Sequence, residues 1–367
     1  MATSLPFRPL RIVLPGGSGQ VGQMLARHFQ LQGHHVTVLT RGPYSAPWQT
    51  VHWDGATVGD WVETLEGADL CINLAGRSVN CRYNATNRRA IYESRIQSTQ
   101  LLGQVIAGLS TPPRVWMNAS AATINPRALD AEGVDLPVEE AAFDCKEKTC
   151  SAGLQTGCRV GVLAHTRLVT SESATPMGKM EEKPSNEPWA GRRGFSARVA
   201  RDWEAAFFAA ETPRTRKVAL RSAVVFSPVQ GSAFGVLSNL VRAGLGGTQG
   251  NGRQFVCWIH EADYARAVDF LVAREDLQGA FNLAAPTPLT NREFMATLRW
   301  AWDVPNGLPA PAPAIRLGAI FLRTDPELVL GSCRVVPGRL LDAGFDFEFP
   351  EWAEAAEDLV RRWKNRE

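Results

Sequence analysis

The chain has 367 residues, of which 45% are hydrophobic and 21% are charged, so it can bury a large core. Its formal net charge of +2 is too small to favour nucleic acid or an anionic membrane as a partner. The seven cysteines are scattered, and no stretch reaches the roughly 20 apolar residues of a membrane span. We therefore expect a reduced, cytoplasmic protein. A monomer or homodimer with a small-molecule substrate is also expected.

Strands and helices alternate through the first two thirds of the sequence. Short β-branched runs indicate buried strands, and apolar residues at helical spacing indicate the helices between them. This order predicts an α/β, Rossmann-like fold with a doubly wound parallel sheet. The strands are expected at 11–15, 34–41, 68–76, 114–120 and 216–226, and the helices at 20–33, 87–109 and 195–211.

The last third differs in composition. It contains the proline-rich stretch PAPAPAIRLG, and residues 338–363 predict a short strand followed by a terminal helix. We predict a first domain at 1–227 and a smaller, mostly helical, substrate-side domain at 228–367. Residues of about 140–190 are polar with little periodicity, and they are expected to form either an ordered flap or a mobile insertion.

The stretch VLPGGSGQVG, residues 13–22, joins the first strand to the first helix. It fits two patterns, Gly17-x-Gly19-x-x-Gly22 and Gly16-x-x-Gly19-x-x-Gly22. In both patterns glycines let the backbone pass close to a pyrophosphate, and the N–H groups that open the helix point at it. The strand–turn–helix context predicts a dinucleotide site that extends to Gln20 and Val21.

The second strand ends in LTRG, which places Arg41 where NAD-binding proteins usually carry an acidic residue for the ribose 2′-hydroxyl. A guanidinium pairs well with phosphate oxygens. Arg41 therefore favours NADP over NAD, although it could also be a solvated surface residue.

Motifs along the chain resemble the extended short-chain dehydrogenase/reductase superfamily: GGSGQVG, INLAG, YESRIQSTQLL and MNASAAT. Later stretches narrow the resemblance to an atypical "epimerase family" branch that ends in a small C-terminal domain of unknown function, placed here at about 317–365. They are RDWEAA, LRSAVVFSP, GLGGTQGNGRQFVCWIHEAD, FNLAAPTPLTNREF and RVVPGRLLDAGFDFEFP. The resemblance covers the chain except about 140–190. It implies a Rossmann fold that binds NADP(H) on the shifted glycine pattern, Gly16, Gly19 and Gly22.

The resemblance also implies roles for other residues. The INLAG segment would run along the cofactor, Asp54 would lie near the adenine, and LRSAVVFSP would approach the nicotinamide. The MNASAAT strand would present the catalytic hydroxyl. The implied cofactor residues are Asn73, Leu74, Ala75, Gly76, Ser222, Ala223 and Val224, and the catalytic candidates are Ser120 and Thr123.

The usual proton donor of that superfamily is absent. Its members use a Tyr-x-x-x-Lys pair on a helix, in which the lysine lowers the pKa of the tyrosine. In the matching helix FSARVARDWEAA the pair becomes Phe195 with Val199, or Ser196 with Ala200. Neither alternative offers an acid, a base or a cation.

The segment GNGRQFVCWIHEAD could supply replacement groups. Asn251, Arg253, Gln254 and Trp258 are candidate substrate contacts, and His260 is a candidate acid–base residue. Alternatively, this segment is a buried corner in which His260 is hydrogen-bonded. In that case Asp263 caps the following helix, and we favour this structural role for Asp263.

No metal site is predicted. Cys145, Cys150, Cys158 and His165 lack the closely spaced cysteine pairs of structural zinc sites. The most consistent function is that of an NADP(H)-dependent oxidoreductase acting on a small carbonyl or nucleotide-linked substrate. The alternatives are a non-catalytic, NADP(H)-sensing regulatory protein and, less favoured, a sugar epimerase.

Overall fold

A computed structural model describes residues 8–42, 45–124, 194–321 and 325–366. Its centre is a parallel sheet of seven strands in the order β10-β6-β5-β4-β1-β2-β3. The strands of this sheet are β1 (Arg11–Pro15), β2 (His35–Thr40), β3 (Gln49–His52), β4 (Leu70–Asn73), β5 (Val115–Ala121), β6 (Arg216–Ser222) and β10 (Gly279–Leu283). The predicted Rossmann-like α/β fold is confirmed.

Helices cover the sheet and form most of the C-terminal region. They are α1 (Gln20–Leu31), α2 (Ala85–Gly108), α3 (Phe195–Ala209), α4 (Ala233–Arg242), α5 (Glu261–Ala273), α6 (Asn291–Ala301), α7 (Ala312–Phe321), α8 (Glu327–Leu330), α9 (Gly338–Asp342) and α10 (Trp352–Lys364). Four further strands make two small sheets: β7 (Val224–Phe226) with β9 (Trp258–His260), and β8 (Phe255–Val256) with β11 (Leu289–Thr290).

The strand order reverses next to β1. The chain proceeds from β1 to β2 and β3 on one side, and then returns to place β4, β5 and β6 on the other. At such a reversal the loops after neighbouring strands diverge and leave a crevice at the carboxyl ends of the strands. The crevice here is bounded by the segments that follow β1, β2 and β4.

Apolar layers lie on both faces of the sheet. One buried cluster includes Leu25 and Phe29 of α1 with Val268 and Leu271 of α5. The other includes Trp116 of β5, which meets the ring of Phe207 edge-on at 4.7 Å. These layers hold α1, α2 and α3 at fixed positions around the crevice.

Three expectations about the second half require correction. The strand expected at 216–226 is broken at Ala223, because β7 turns away and pairs with β9. The expected domain boundary near residue 228 does not separate the sheet from the rest of the chain, because β10, which lies beyond that boundary, pairs with β6. The short strand expected after 338 is the helix α9.

The start of α5 is tied to the C-terminal region by buried polar groups. The cap residue is His260, whose Nδ1 accepts from the N–H of Ala262 at 3.1 Å, so the prediction that Asp263 is the cap was wrong. The Asp263 carboxylate instead accepts from the N–H groups of Glu348 and Phe349 at 2.7 and 2.9 Å. It is completely buried.

Within the described residues, no helix is long and apolar enough to cross a membrane. The same part of the chain contains no cluster of side chains that could hold a metal ion. The insertion predicted at about 140–190, including Cys145, Cys150, Cys158 and His165, lies outside the described residues.

We expect Asp263→Ala to lower the free energy of unfolding by about 3 kcal/mol, because two backbone N–H groups and the Arg266 guanidinium lose their buried acceptor. Asp276→Ala is the matched control, since Asp276 pairs with Arg274 on the surface, and should cost less than about 1 kcal/mol. Urea denaturation measures both. Equal effects of the two substitutions would contradict the structural role of Asp263.

Candidate functional site: a cleft at the carboxyl end of the sheet

A cleft of about 690 Å³ lies at the reversal of strand order. This volume is within the range of small-molecule and cofactor sites. The segments after β1, β2 and β4 and one face of α2 form its walls. Its lining includes seven residues predicted to contact a cofactor: Gly16, Gly19, Arg41, Asp54, Leu74, Ala75 and Gly76.

Two glycines of the turn, Gly16 and Gly19, differ in whether the protein's own packing requires a glycine. Gly16 has a φ of +75°, and a Cβ on it would lie 2.6 Å from the Cα of Ala75, so packing demands a glycine there. Gly19 has an ordinary φ of −73°, and a Cβ on it would meet only a carbonyl oxygen at 3.7 Å. Neither backbone strain nor protein packing therefore explains Gly19, which faces open cleft.

Helix α1 begins at this open position without a side-chain cap. The N–H groups in the first turn of a helix have no partners within the helix, and they carry a partial positive charge. An anion seated beside Gly19 would meet these groups directly.

Arg41 and Asp54 lie on the same side of the cleft. Arg41 is exposed, and no carboxylate among the described residues forms an ion pair with it. Asp54 accepts from the Thr57 hydroxyl at 2.6 Å and from the N–H groups of Ala56 and Thr57 at 2.8 Å. The Thr57 hydroxyl, followed by these N–H groups, lowers the pKa of Asp54 to about 2.

Asn73 shapes the cleft from behind. It is fully buried, and its amide donates to Asn118 Oδ1 at 2.7 Å and to Thr99 Oγ1 at 3.0 Å. Its Oδ1 accepts from the N–H of Ala75 at 3.1 Å. Asn73 therefore fixes the course of the chain after β4, and it lies outside the lining of the cleft.

Six other predicted cofactor residues also lie outside that lining. Gln20 begins α1 and lines a neighbouring cavity, and Val21 packs on the hydrophobic core. Gly22 faces Gly17, and a Cβ on Gly22 would lie 2.4 Å from the Cα of Gly17. The remaining three belong to the segment around the break between β6 and β7. Ser222 bonds the Tyr264 hydroxyl at 3.1 Å, Ala223 is buried, and Val224 is exposed.

The catalytic candidate Ser120 already has a strong partner. Its hydroxyl donates to Glu204 Oε1 at 2.6 Å, and Glu204 forms two hydrogen bonds of 2.9 Å with the Arg221 guanidinium. A hydroxyl whose proton is directed at a carboxylate is unavailable as a donor to a substrate carbonyl. Thr123, in the 3₁₀ turn Ala122–Ile124 after β5, is half-buried.

The structure argues against three predicted groups in the segment 250–263. His260 is fully buried and packs on Phe349, and its Nε2 lies 3.2 Å from Asp358, so both ring nitrogens are used. Burial lowers the pKa of His260, which favours the neutral ring. Trp258 is buried against Trp352, with 4.9 Å between the ring centroids.

The third group is Gln254, which is buried and donates to the carbonyl of Gln249 at 2.8 Å. Asn251 and Arg253 remain exposed, and Asn251 Oδ1 accepts from the N–H of Arg253 at 2.9 Å. The buried part of this segment, Cys257 to His260, is the corner that the sequence offered as the alternative.

Sequence reasoning missed the wall that α2 contributes. Ala90, Glu93, Ser94, Gln97 and Ser98 line the cleft from one face of this helix. The signal was present, because small and polar residues recur there at intervals of three and four, the spacing of one helical face.

Comparison with known proteins agrees with this geometry. The sequence profile of the NAD dependent epimerase/dehydratase family matches residues 12–284, and that of a domain of unknown function, DUF1731, matches residues 310–359. The chain belongs to the NAD-dependent epimerase/dehydratase family. This confirms the resemblance seen in the sequence motifs.

Two curated relatives match the chain over nearly the whole length of both sequences. The epimerase family protein SDR39U1 of Bos taurus is 29% identical over 96% of this chain and 100% of its own length. The epimerase family protein SERP0438 of Staphylococcus epidermidis is 26% identical over 96% of this chain and 99% of its own length.

Solved structures superpose on the chain. Human SDR39U1 crystallised with NADPH has a TM-score of 0.71 at 25% identity, covering 96% of this chain and 99% of that one. UDP-N-acetylglucosamine 4-epimerase from Bacillus cereus has a TM-score of 0.65 at 15% identity, covering 97% and 99%. The second similarity shows the shared fold alone.

We expect Glu204→Ala to lower the free energy of unfolding by about 3–4 kcal/mol, because it leaves the Arg221 charge half-buried without its carboxylate. Ser120→Ala should cost about 1 kcal/mol, since it removes only one hydrogen bond. Chemical denaturation of both variants tests this ranking, and a larger loss for Ser120→Ala would contradict it.

Proposed function

We propose that the protein is an NADP(H)-dependent oxidoreductase that acts on a small carbonyl-bearing or nucleotide-linked substrate. The observation that carries the proposal is the open position of Gly19 at the uncapped start of α1. A glycine that the protein's own packing does not require is explained when a pyrophosphate passes against it. The family assignment and the NADPH in the human SDR39U1 crystal support the same cofactor.

Residues of the cleft fit the different parts of NADPH. The first turn of α1 would hold the pyrophosphate, and Arg41 would hold the 2′-phosphate as a charged donor. Leu74, Ala75 and Gly76 would lie along the cofactor. When bound, NADPH would supply the hydride for carbonyl reduction.

Gly19→Asp should weaken NADPH binding by roughly 100-fold, because a carboxylate would stand beside the pyrophosphate. The open space around a Cβ at this position predicts that the variant folds with an unchanged melting temperature. Gly19→Ala is the smaller control, which adds bulk without charge. Calorimetric titration with NADPH gives the affinities, and equal values for wild type and Gly19→Asp would refute the assignment.

Arg41→Ala should lose roughly 10- to 100-fold in affinity for NADPH and little for NADH, since only NADPH carries the 2′-phosphate. Arg41→Lys keeps the charge and should recover part of the loss. The same calorimetry compares the two cofactors, and equal losses for NADPH and NADH would assign Arg41 a different role.

One observation favours a second function. The Ser120 hydroxyl is already bonded to Glu204, and the Tyr-x-x-x-Lys pair is replaced by Phe195 with Val199 or by Ser196 with Ala200. Both features are what a non-catalytic NADP(H)-sensing protein would show. Single-turnover hydride transfer from NADPH to a panel of carbonyl compounds separates the two. Oxidation of NADPH at 340 nm supports the oxidoreductase, and NADPH binding without oxidation across the panel supports the sensor.

A further inference from the structure

Two buried cysteines meet where the C-terminal region crosses one of the small sheets. Cys257 lies between β8 and β9, and Cys333 lies in the extended segment between α8 and α9. Both side chains belong to the same buried apolar cluster, and their thiol groups share a hydrogen bond. Neither forms a disulfide in the structure. The pair lies outside the lining of the cofactor cleft, so its role is separate from cofactor binding.

Hydrogen bonds hold the two cysteine-bearing segments side by side. The N–H of Cys333 donates to the carbonyl of Phe255 at 3.1 Å, and the N–H of Phe255 donates to the Ser332 hydroxyl at 3.1 Å. Chain segments joined by a backbone hydrogen bond run about 4.8 Å apart. A disulfide needs Cα atoms that are about 4.4–6.8 Å apart. The two cysteines can therefore be linked with little movement of the backbone.

Side chains on both sides of Cys333 keep its segment in this place. The Arg334 guanidinium stacks over the ring of Phe255 at 4.9 Å. The amide of Asn282, in β10, donates to the carbonyl of Val336 at 3.1 Å. The segment is thus attached both to β8 and to the central sheet, so the fold itself brings the two thiols into contact.

We propose that Cys257 and Cys333 are a modification site that forms a reversible disulfide, with a small disulfide such as glutathione disulfide as the oxidant. One protein thiol loses its proton and attacks glutathione disulfide, which gives a mixed disulfide and releases one glutathione. The second protein thiol attacks the mixed disulfide and releases the second glutathione. Two electrons and two protons thereby pass from the protein to glutathione, and the bond between the two cysteines closes.

The surroundings of the pair make this oxidation slow. The hydrogen bond with Cys333, followed by burial, raises the pKa of Cys257, which therefore stays a thiol at pH 7. The thiolate is the form that attacks a disulfide. We therefore expect oxidation to take hours and to follow local opening of the segment that carries Cys333. The same burial then shields the disulfide from reductants.

The disulfide would fasten the C-terminal region to the rest of the chain. Cys333 lies within residues 310–359, which the DUF1731 profile matches, whereas Cys257 precedes β9, the partner of β7. A cross-link between residues far apart in sequence removes much of the freedom of the unfolded chain. We therefore expect the oxidised protein to melt about 5 °C higher than the reduced protein.

Peptide mapping by mass spectrometry tests the link on the full-length wild-type protein. The protein is incubated with glutathione disulfide, its remaining thiols are alkylated in denaturant, and its peptides are identified. We expect a cross-linked pair of peptides that contain Cys257 and Cys333 and that separate after treatment with dithiothreitol. Recovery of both cysteines as alkylated thiols, or linked only to glutathione or to other cysteines of the chain, would overturn the proposal.

The melting temperature shows whether this pair or another cysteine is responsible. Cys257→Ser and Cys333→Ser should lose the rise that oxidation gives the wild-type protein. Cys81→Ser is the matched control and should keep it, because the Cys81 thiol bonds to the carbonyl of Ser78 at 3.6 Å. The same rise in all three variants, or no rise in the wild-type protein, would contradict the fastening. Peptide mapping of the wild-type protein decides the link even if a serine variant fails to fold.

Discussion

The cleft depends on the close approach of the first glycine turn to the end of β4. At Gly16 the backbone lies so near Ala75 that any side chain would collide with it. The buried amide of Asn73 holds the other partner in place through the N–H of Ala75. These contacts fix the two walls between which α1 directs its free N–H groups. The geometry that would admit a pyrophosphate is therefore built from backbone packing rather than from charged side chains.

Buried polar contacts stabilise the far side of the molecule. His260, Asp263 and Glu261 open α5 and bond to Asp358, to the N–H groups of Glu348 and Phe349, and to Arg362, respectively. Their partners all lie in the last 20 residues of the chain. The polar residues at 260, 261 and 263 therefore have a structural role, because they attach the C-terminal region to the start of α5.

The sequence predicted the fold well because local patterns determine it. The parallel strands, the glycine turn and the long helix α2 have strong periodic or turn signals, and the predicted positions of Arg41 and Leu74–Gly76 in the cleft are matched by its lining. Contacts between residues far apart in the chain left no such signal in the sequence. The return of β10 to the sheet and the engagement of Ser120 by Glu204, 84 positions away, depend on tertiary packing.

Hydrogen–deuterium exchange with and without NADPH tests the central claim most directly, because it reports which segments the cofactor covers. The account predicts that NADPH slows exchange in residues 16–24 and 74–78 and leaves residues 250–263 unchanged. Slower exchange confined to 250–263, with none in the glycine turn, would contradict it.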